Sequence, residues 1–287
     1  KTQIFLNAYL QAEVIKGLKY KLNLGLRKDH TKSRTYTGTY DLGTYGKNDA
    51  PDLSEGSSDY ESWVLENTLN YDKEFGKHNL AAMVGYSAQK DKSYGLNGSN
   101  ADIPEFIETM TGNVKSMTAS SSLNELALVS LFGRIMYSYD DRYLVSASIR
   151  RDGSSRFHKD NRWGNFYSVG ASWNMKNEAF LEDVEWVDHL KMRASYGEVG
   201  NNMGVSYYGH MALYTIDKNG GNPALLKKSL AAPDIKWETT QTVDVAVEGR
   251  LFNKLNFQIG YFDKRSKDLL FEVRFPLSPG SYPWTRS

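Results

Sequence analysis

Three guanidiniums fall within seven residues in Arg150-Arg-Asp-Gly-Ser-Ser-Arg156. Gathered around a tight Asp-Gly turn, they could hold a phosphate or a carboxylate. The same run also reads as a strand end. Arg150 would then pair with a carboxylate on a wet face, and Asp152-Gly153 would supply turn chemistry. This second reading is the favoured one. His158 follows closely on Ser154 and Ser155, which raises nucleophilic hydrolysis. That chemistry also needs an oriented acid and an oxyanion hole, and the sequence has no G-x-S-x-G elbow. Its five histidines are scattered, with no H-x-x-x-H pair for zinc. No catalytic residue, metal ligand or cofactor is assigned, and the chain is not read as an enzyme.

Asp41, Asp49, Asp52, Glu55 and Asp59 crowd one Gly- and Ser-rich segment, as calcium ligands do. Their spacing departs from the helix-loop-helix calcium motif and favours a solvated loop. Gly197-Glu-Val-Gly-Asn-Asn-Met-Gly204 carries glycines but no strand-to-helix step for phosphates. It opens a long excursion to Trp237 that carries Tyr207, Tyr208 and Tyr214. Aromatics on a loop suit stacking on sugar rings or packing on a lid protein, and equally packing among the loops themselves. These three tyrosines are the candidate ligand-binding residues.

Composition bounds the partners. The chain has 287 residues, a net charge of +1 and 24% charged residues of mixed sign, so no basic groove for nucleic acid is expected. Aromatics reach 13%, with 19 Tyr and 6 Trp, an excess that suits a glycan groove or a membrane interface. There are no cysteines, which excludes disulfides and thiolate chemistry. Mean hydropathy is −0.55, and no apolar run is long enough for a transmembrane helix.

Strands must position these residues. In GLKYKLNLGLRKD (17–29), Leu18, Tyr20, Leu22, Leu24 and Leu26 alternate with Lys19, Lys21, Asn23, Gly25 and Arg27. Period two marks a half-buried strand. The pattern recurs at 59–74, where Asn67 breaks the apolar row of Trp63, Leu65, Leu69 and Tyr71. It recurs again at 78–90, 126–139, 143–150, 167–174, 190–196, 242–248 and 255–261, and less cleanly at 3–13. These segments predict about ten strands.

Short turns at Val14–Gly17, Phe75–Lys77, Asp140–Arg142 and Phe252–Lys254 alternate with long polar segments at about 33–58, 92–122, 152–162 and 200–236. A sandwich gives no reason for that alternation. An outer-membrane barrel does, with short periplasmic turns and long outer loops. Lys176–His189 is the exception, a longer connection on the short-turn side that reads as a helical turn. Tyr137, Tyr139 and Tyr143 bracket one short turn, as in an aromatic girdle; cross-strand pairing in a soluble sheet is the competing reading. The fold class is therefore all-β, an antiparallel up-and-down transmembrane β-barrel. Its wet face would line the lumen with Lys19, Lys21, Arg27, Arg134, Arg150 and Arg193 among Glu66, Asp72, Asp152, Asp244 and Glu248. Mixed signs suit a wall facing a polar plug better than an ion-selective pore.

The stretch 132–181, FGRIMYSYDDRYLVSASIRRDGSSRFHKDNRWGNFYSVGASWNMKNEAFL, resembles the SusC/RagA family of TonB-linked outer-membrane transporters of Bacteroidetes. LKMRASYGEVGNN (190–202), IKWETTQTVDVAVEG and FDKRSKDLLFEV extend the likeness to about half of the chain, while residues 1–125 match only in style. The resemblance implies a barrel of about 22 strands filled by a plug. It implies import energised through TonB, a SusD-like surface lipoprotein as lid, and oligosaccharide or peptide cargo in a Gram-negative outer membrane. Plug and terminal strands are not recognisable, so residues 1–287 are expected to form a single segment of the barrel wall. The alternative is a soluble or surface-attached β-sheet protein that binds glycans. It would bury the apolar face under a second layer, whereas a barrel leaves that face to lipid. An outer-membrane enzyme using His158 is a third reading.

Overall fold

The computed structural model describes residues 1–287 except 102, 105–108, 112–115, 220–221, 274–283 and 287. The strands are β1 (Thr2–Ile15), β2 (Leu18–Thr37), β3 (Tyr40–Asp41), β4 (Lys47–Asn48), β5 (Asp52–Phe75), β6 (His78–Asn100), β7 (Thr118–Tyr139) and β8 (Tyr143–Ser154). They continue as β9 (Trp163–Asn174), β10 (Val187–Asn201), β11 (Leu213–Asn219), β12 (Asn222–Ser229), β13 (Glu238–Leu251), β14 (Leu255–Lys267), β15 (Phe271–Val273) and β16 (Trp284–Arg286). Ten of them form one sheet in the order β1-β2-β5-β6-β7-β8-β9-β10-β13-β14. Each neighbour is the next long strand along the chain, which is the up-and-down wall that the alternating turns predict. β3–β4, β11–β12 and β15–β16 are separate two-stranded pairs.

The strands run further than their apolar stripes. β2 continues to Thr37 and β5 starts at Asp52, so part of 33–58 is ladder; β6 reaches Asn100 and β7 starts at Thr118, so part of 92–122 is too. Apolar residues thin out there to Tyr36, Leu53, Tyr94, Leu96 and Leu123 among polar neighbours, and the period-two signal fades while the strands continue. Of residues 152–162, the first three belong to β8 and only 155–162 connect it to β9, and 200–236 contain the β11–β12 hairpin. The exceptional connection carries the short helix α1 (Ala179–Glu182). Lys176 Nζ reaches the carbonyls of Leu181 (3.0 Å), Glu182 (3.2 Å) and Val184 (3.0 Å), which satisfies acceptors that a helix end leaves open.

Contacts divide the chain into two units. The larger comprises Tyr9–Leu22, Glu66–Ala88 and Leu128–Ser287. Its registers fix the two faces. Ile135, Ala147, Val169, Tyr196 and Val243 are successive cross-strand partners, while Arg134, Ser148, Ser168, Gly197 and Thr242 form the adjacent row on the other face. Among the described residues no second layer covers the apolar face: Ile135 is 49% and Val169 50% exposed. A soluble sheet would bury these side chains, so the glycan-binding alternative loses its structural basis, and lipid is the neighbour that fits.

Asn67, the break in the apolar row, accepts a hydrogen bond at Oδ1 from the Tyr20 hydroxyl at 2.6 Å. The polar interruption is thus paired across the strands. Tyr20→Phe should cost about 1–3 kcal/mol by leaving the amide unpaired, and Asn67→Leu should cost about as much through the stranded hydroxyl. The double variant should recover most of that loss in a denaturant cycle in lipid. Additive losses would refute the pairing.

The short-turn end carries an aromatic belt. His78 stacks on Phe75 (5.1 Å) and lies 4.9 Å from the Tyr139 ring, with Nδ1 2.6 Å from the Tyr137 hydroxyl. Tyr143 stacks on Trp173 at 6.5 Å, and Trp186 on Phe252 at 5.7 Å. In the connection outside the strands, Glu178 accepts from Tyr143 Oη (2.5 Å) and Trp173 Nε1 (3.0 Å). The Tyr143 hydroxyl first, then the Trp173 indole, hold its carboxyl below the ordinary 4.5. Lys77 does the same for Asp140 in the turn, below the ordinary 3.8. Folding lowers both values, so the stability they contribute is present above the unfolded pKa and lost as pH falls through the folded one. Acid titration should therefore loosen this end at pH below about 4, read as falling Trp fluorescence. Glu178→Gln should flatten that response.

The smaller unit comprises Lys1–Ala8, Asn23–Leu65 and Gln89–Ala127. Lys28–Glu61 (2.7 Å) and Arg34–Glu55 (3.3 Å) are ion pairs between β2 and β5, and between them His30 Nδ1 lies 2.7 Å from an Asp59 carboxylate oxygen. They put even residues of β2 and odd residues of β5 on one face. Leu24, Leu26, Trp63 and Leu65 share that face directly before the charges begin. On the opposite face Arg27 holds Asp29 through two contacts (3.1 and 2.6 Å).

Candidate functional site

The polar face of the larger unit is a row of short-range pairs. Arg150 Nε donates to both Asp152 oxygens (2.7 and 2.9 Å), and its Nη2 donates to Ser130 Oγ at 2.8 Å. Its guanidinium lies 5.3 Å from the Phe132 ring centre. That ring fills the space beside Gly85, where a Cβ would come within 2.3 Å of it. Arg193 pairs with Asp244 and approaches Glu248 at 4.0 Å, while Lys191 lies 3.6 Å from Glu248. Arg134 belongs to the row of Ser148 and Ser168, whose hydroxyls are 2.6 Å apart. Lys21 Nζ sits 5.2 Å from the Tyr9 ring centre, and Lys19 is two positions along the same face. Of the wall residues singled out in the sequence, Arg150, Arg193 and Asp244 take part in ion pairs, and Lys21 lies against an aromatic ring.

The arginines of 150–156 do not converge. Arg151 takes the face opposite Arg150 and lies 5.1 Å from the Trp163 ring centre. Arg156 is buried in the loop region. Its Nη1 donates to the Val205 carbonyl, its guanidinium lies 4.6 Å from the Tyr207 ring centre, and its own carbonyl is 3.0 Å from His210 Nδ1. Ser154 is fully buried and its Oγ accepts from Asn202 Nδ2 (3.0 Å) and the Arg156 N–H (3.3 Å). His158 Nδ1 is 3.1 Å from Asp160. These contacts describe a scaffold rather than a nucleophile and its base.

Beneath them Phe157, Phe166, Val205, Ala232, Ile235 and Trp237 form a buried cluster. The Trp237 ring is 5.3 Å from Phe157 and 5.5 Å from Phe166, and its Nε1 donates to the Arg162 carbonyl at 2.8 Å. Phe166 packs so closely on Gly200 that a Cβ there would lie 2.0 Å from the ring. Of the candidate tyrosines, Tyr207 and Tyr208 come together with ring centres 6.5 Å apart. Tyr214 belongs to the β11–β12 hairpin, opposite Lys227 and exposed. Sequence reading passed over Phe157 and Trp237, although a large aromatic inside a polar segment is the signal that marks such a cluster.

Four of the five acidic loop residues are engaged singly. Asp41 accepts from the Gly43 N–H at 2.8 Å, Asp49 pairs with Lys47 at 2.7 Å, and Glu55 and Asp59 pair with β2 as above. Among the described residues no acid and histidine group is arranged for a metal.

The family model "TonB dependent receptor-like, beta-barrel" matches residues 3–286. The chain is 33% identical over 281 residues to TonB-dependent receptor P3 of Formosa agariphila, covering 94% of this chain and 28% of that protein. It is 32% identical over 221 residues to TonB-dependent receptor SusC of Bacteroides thetaiotaomicron, covering 73% of this chain and 21% of the relative. It superposes on a structure of the RagAB peptide importer in the "closed-closed" state with TM-score 0.87 and 25% identity, over 99% of this chain and 32% of the other. The chain thus spans less than a third of the length of these relatives. The family is one of receptors and transporters, not an enzyme class, and its barrels are outer-membrane proteins. With the family model matched from end to end of an up-and-down sheet, the chain belongs to the TonB dependent receptor-like β-barrel family.

Proposed function

We propose that the full-length protein imports large nutrients, oligosaccharides or peptides, across the outer membrane by a TonB-dependent route, with this chain as part of the barrel wall. The observation that carries the reading is the polar face of closely paired charges on a sheet whose other face is apolar and uncovered. Such a face suits contact with a polar plug, because pairs such as Arg193–Asp244 can accept new polar neighbours without a bare charge. Likeness to the RagAB peptide importer supports the peptide arm of this cargo class. The partners in this reading are a SusD-like surface lipoprotein as lid and TonB acting through a plug. Outer loops, with Tyr207, Tyr208 and Tyr214 as candidates, would capture cargo with the lid. Lys19, Lys21, Arg134, Arg150, Arg193 and Asp244 would line the lumen as scaffold.

The test is uptake of labelled oligosaccharide and peptide pools by cells with and without the full-length gene, each in a tonB-positive and tonB-negative background. Loss of one pool's uptake on removing either gene is the expected result. Uptake indifferent to both would overturn the reading. Co-purification of a surface lipoprotein with the tagged full-length protein tests the lid.

A further inference from the structure

On the outward face of the smaller unit, the apolar stripe passes into charge at one place that is hollow. A cleft of about 500 Å³ lies there. Ile4, Leu6, Leu26 and Trp63 form its apolar part. Lys28, Lys90 and Lys92 surround it with Glu61 and Glu125. Lys28 pairs with Glu61 at 2.7 Å and Lys90 with Glu125 at 3.4 Å, and both lysines stay about half exposed. Lys92 adds a third ammonium to two carboxylates, and Arg27, paired with Asp29 at 2.6 Å, also lines the cleft, so the lining carries a net positive charge.

We propose that this cleft binds a phosphate-bearing lipid headgroup of the outer leaflet. The position requires an amphipathic occupant. The strands here leave the apolar band toward the loop side, which a barrel of this kind turns outward. Trp63, 40% exposed, presents an indole at the level where such rings prefer to sit. Three ammonium groups can hold a phosphate as point charges. The two carboxylates can accept hydrogen bonds from sugar hydroxyls beside it. A free phosphate would leave Ile4, Leu6 and Leu26 in water, whereas an acyl-bearing headgroup covers them. Charge and apolar surface thus select a lipid over a soluble anion.

Native mass spectrometry of the detergent-purified full-length protein tests this with diphosphoryl lipid A, dephosphorylated lipid A and inorganic phosphate as probes. The wild type should retain the diphosphoryl form at least about tenfold more tightly than the dephosphorylated one. Inorganic phosphate at millimolar level should not displace it. The triple variant Lys28→Gln, Lys90→Gln, Lys92→Gln should lose the preference while keeping its heat-modifiable barrel mobility. If the triple variant fails to fold, Lys92→Glu serves, because Lys92 belongs to neither of those ion pairs; it should also abolish the preference. An unchanged preference in either variant, equal binding of both lipids, or displacement by inorganic phosphate overturns the proposal.

Discussion

Val169→Arg should destabilise the folded barrel by about 2–4 kcal/mol in a bilayer, whereas Ser168→Arg, one residue earlier, should cost well under half of that. Val169 stands opposite Ala147 on one side and Tyr196 on the other, midway along the apolar rows. It is 50% exposed in the absence of lipid, so no protein neighbour is displaced by a longer side chain. The penalty would come from placing a guanidinium in hydrocarbon. Ser168 sits on the polar face beside Ser148 and Gly197, where water or a polar plug can solvate the new charge. Denaturant titration of the full-length protein in lipid vesicles measures both. Equal costs would undo the face assignment, since a one-residue shift along a strand is the difference between its two faces.

Trp237→Ala should cost the loop cluster about 3–5 kcal/mol. Trp237 is only 8% exposed, its ring packs on Phe157 and Phe166, and its Nε1 satisfies the Arg162 carbonyl. Trp237→Phe should cost less, about 1–3 kcal/mol, because it keeps apolar bulk and loses the donor. The loss should be local. Amide exchange in 154–163 and 202–209 should accelerate by about a hundredfold or more, while β13 and β14 keep their protection near the middle of the ladder. Uniform acceleration along the whole sheet would show that Trp237 supports the wall rather than the loops.

Much of the wall was legible because a strand's chemistry repeats every two residues. Leu18 to Leu26 on one side and Lys19 to Arg27 on the other announce a sheet with two unlike surroundings, and short turns such as Asp140–Arg142 announce its connectivity. The positive φ of Asp140 (52°) and Asp141 (53°) fits residues that tolerate that region. What stayed hidden depends on contacts that sequence spacing does not encode. Arg156 meets Val205 across 49 residues, and Trp237 meets Arg162 across 75. Segments 33–37 and 52–58 looked like loops because each holds a single large apolar residue, Tyr36 and Leu53, so the strands continue with no apolar stripe to advertise them. The candidate tyrosines show the same limit: Tyr207 covers a buried guanidinium, a use that its place in a polar segment does not reveal.

The extension of the strands beyond their apolar stripe has an electrical consequence. From Lys28 to Thr37, β2 climbs through ten residues of continuous strand, about 30 Å along its path or about 21 Å of height at a 45° tilt. Potential from membrane phosphates decays over about 8 Å at physiological ionic strength. The rim of this palisade therefore stands more than two decay lengths clear of the leaflet's negative field. An anionic solute arriving there meets only the rim's own charges.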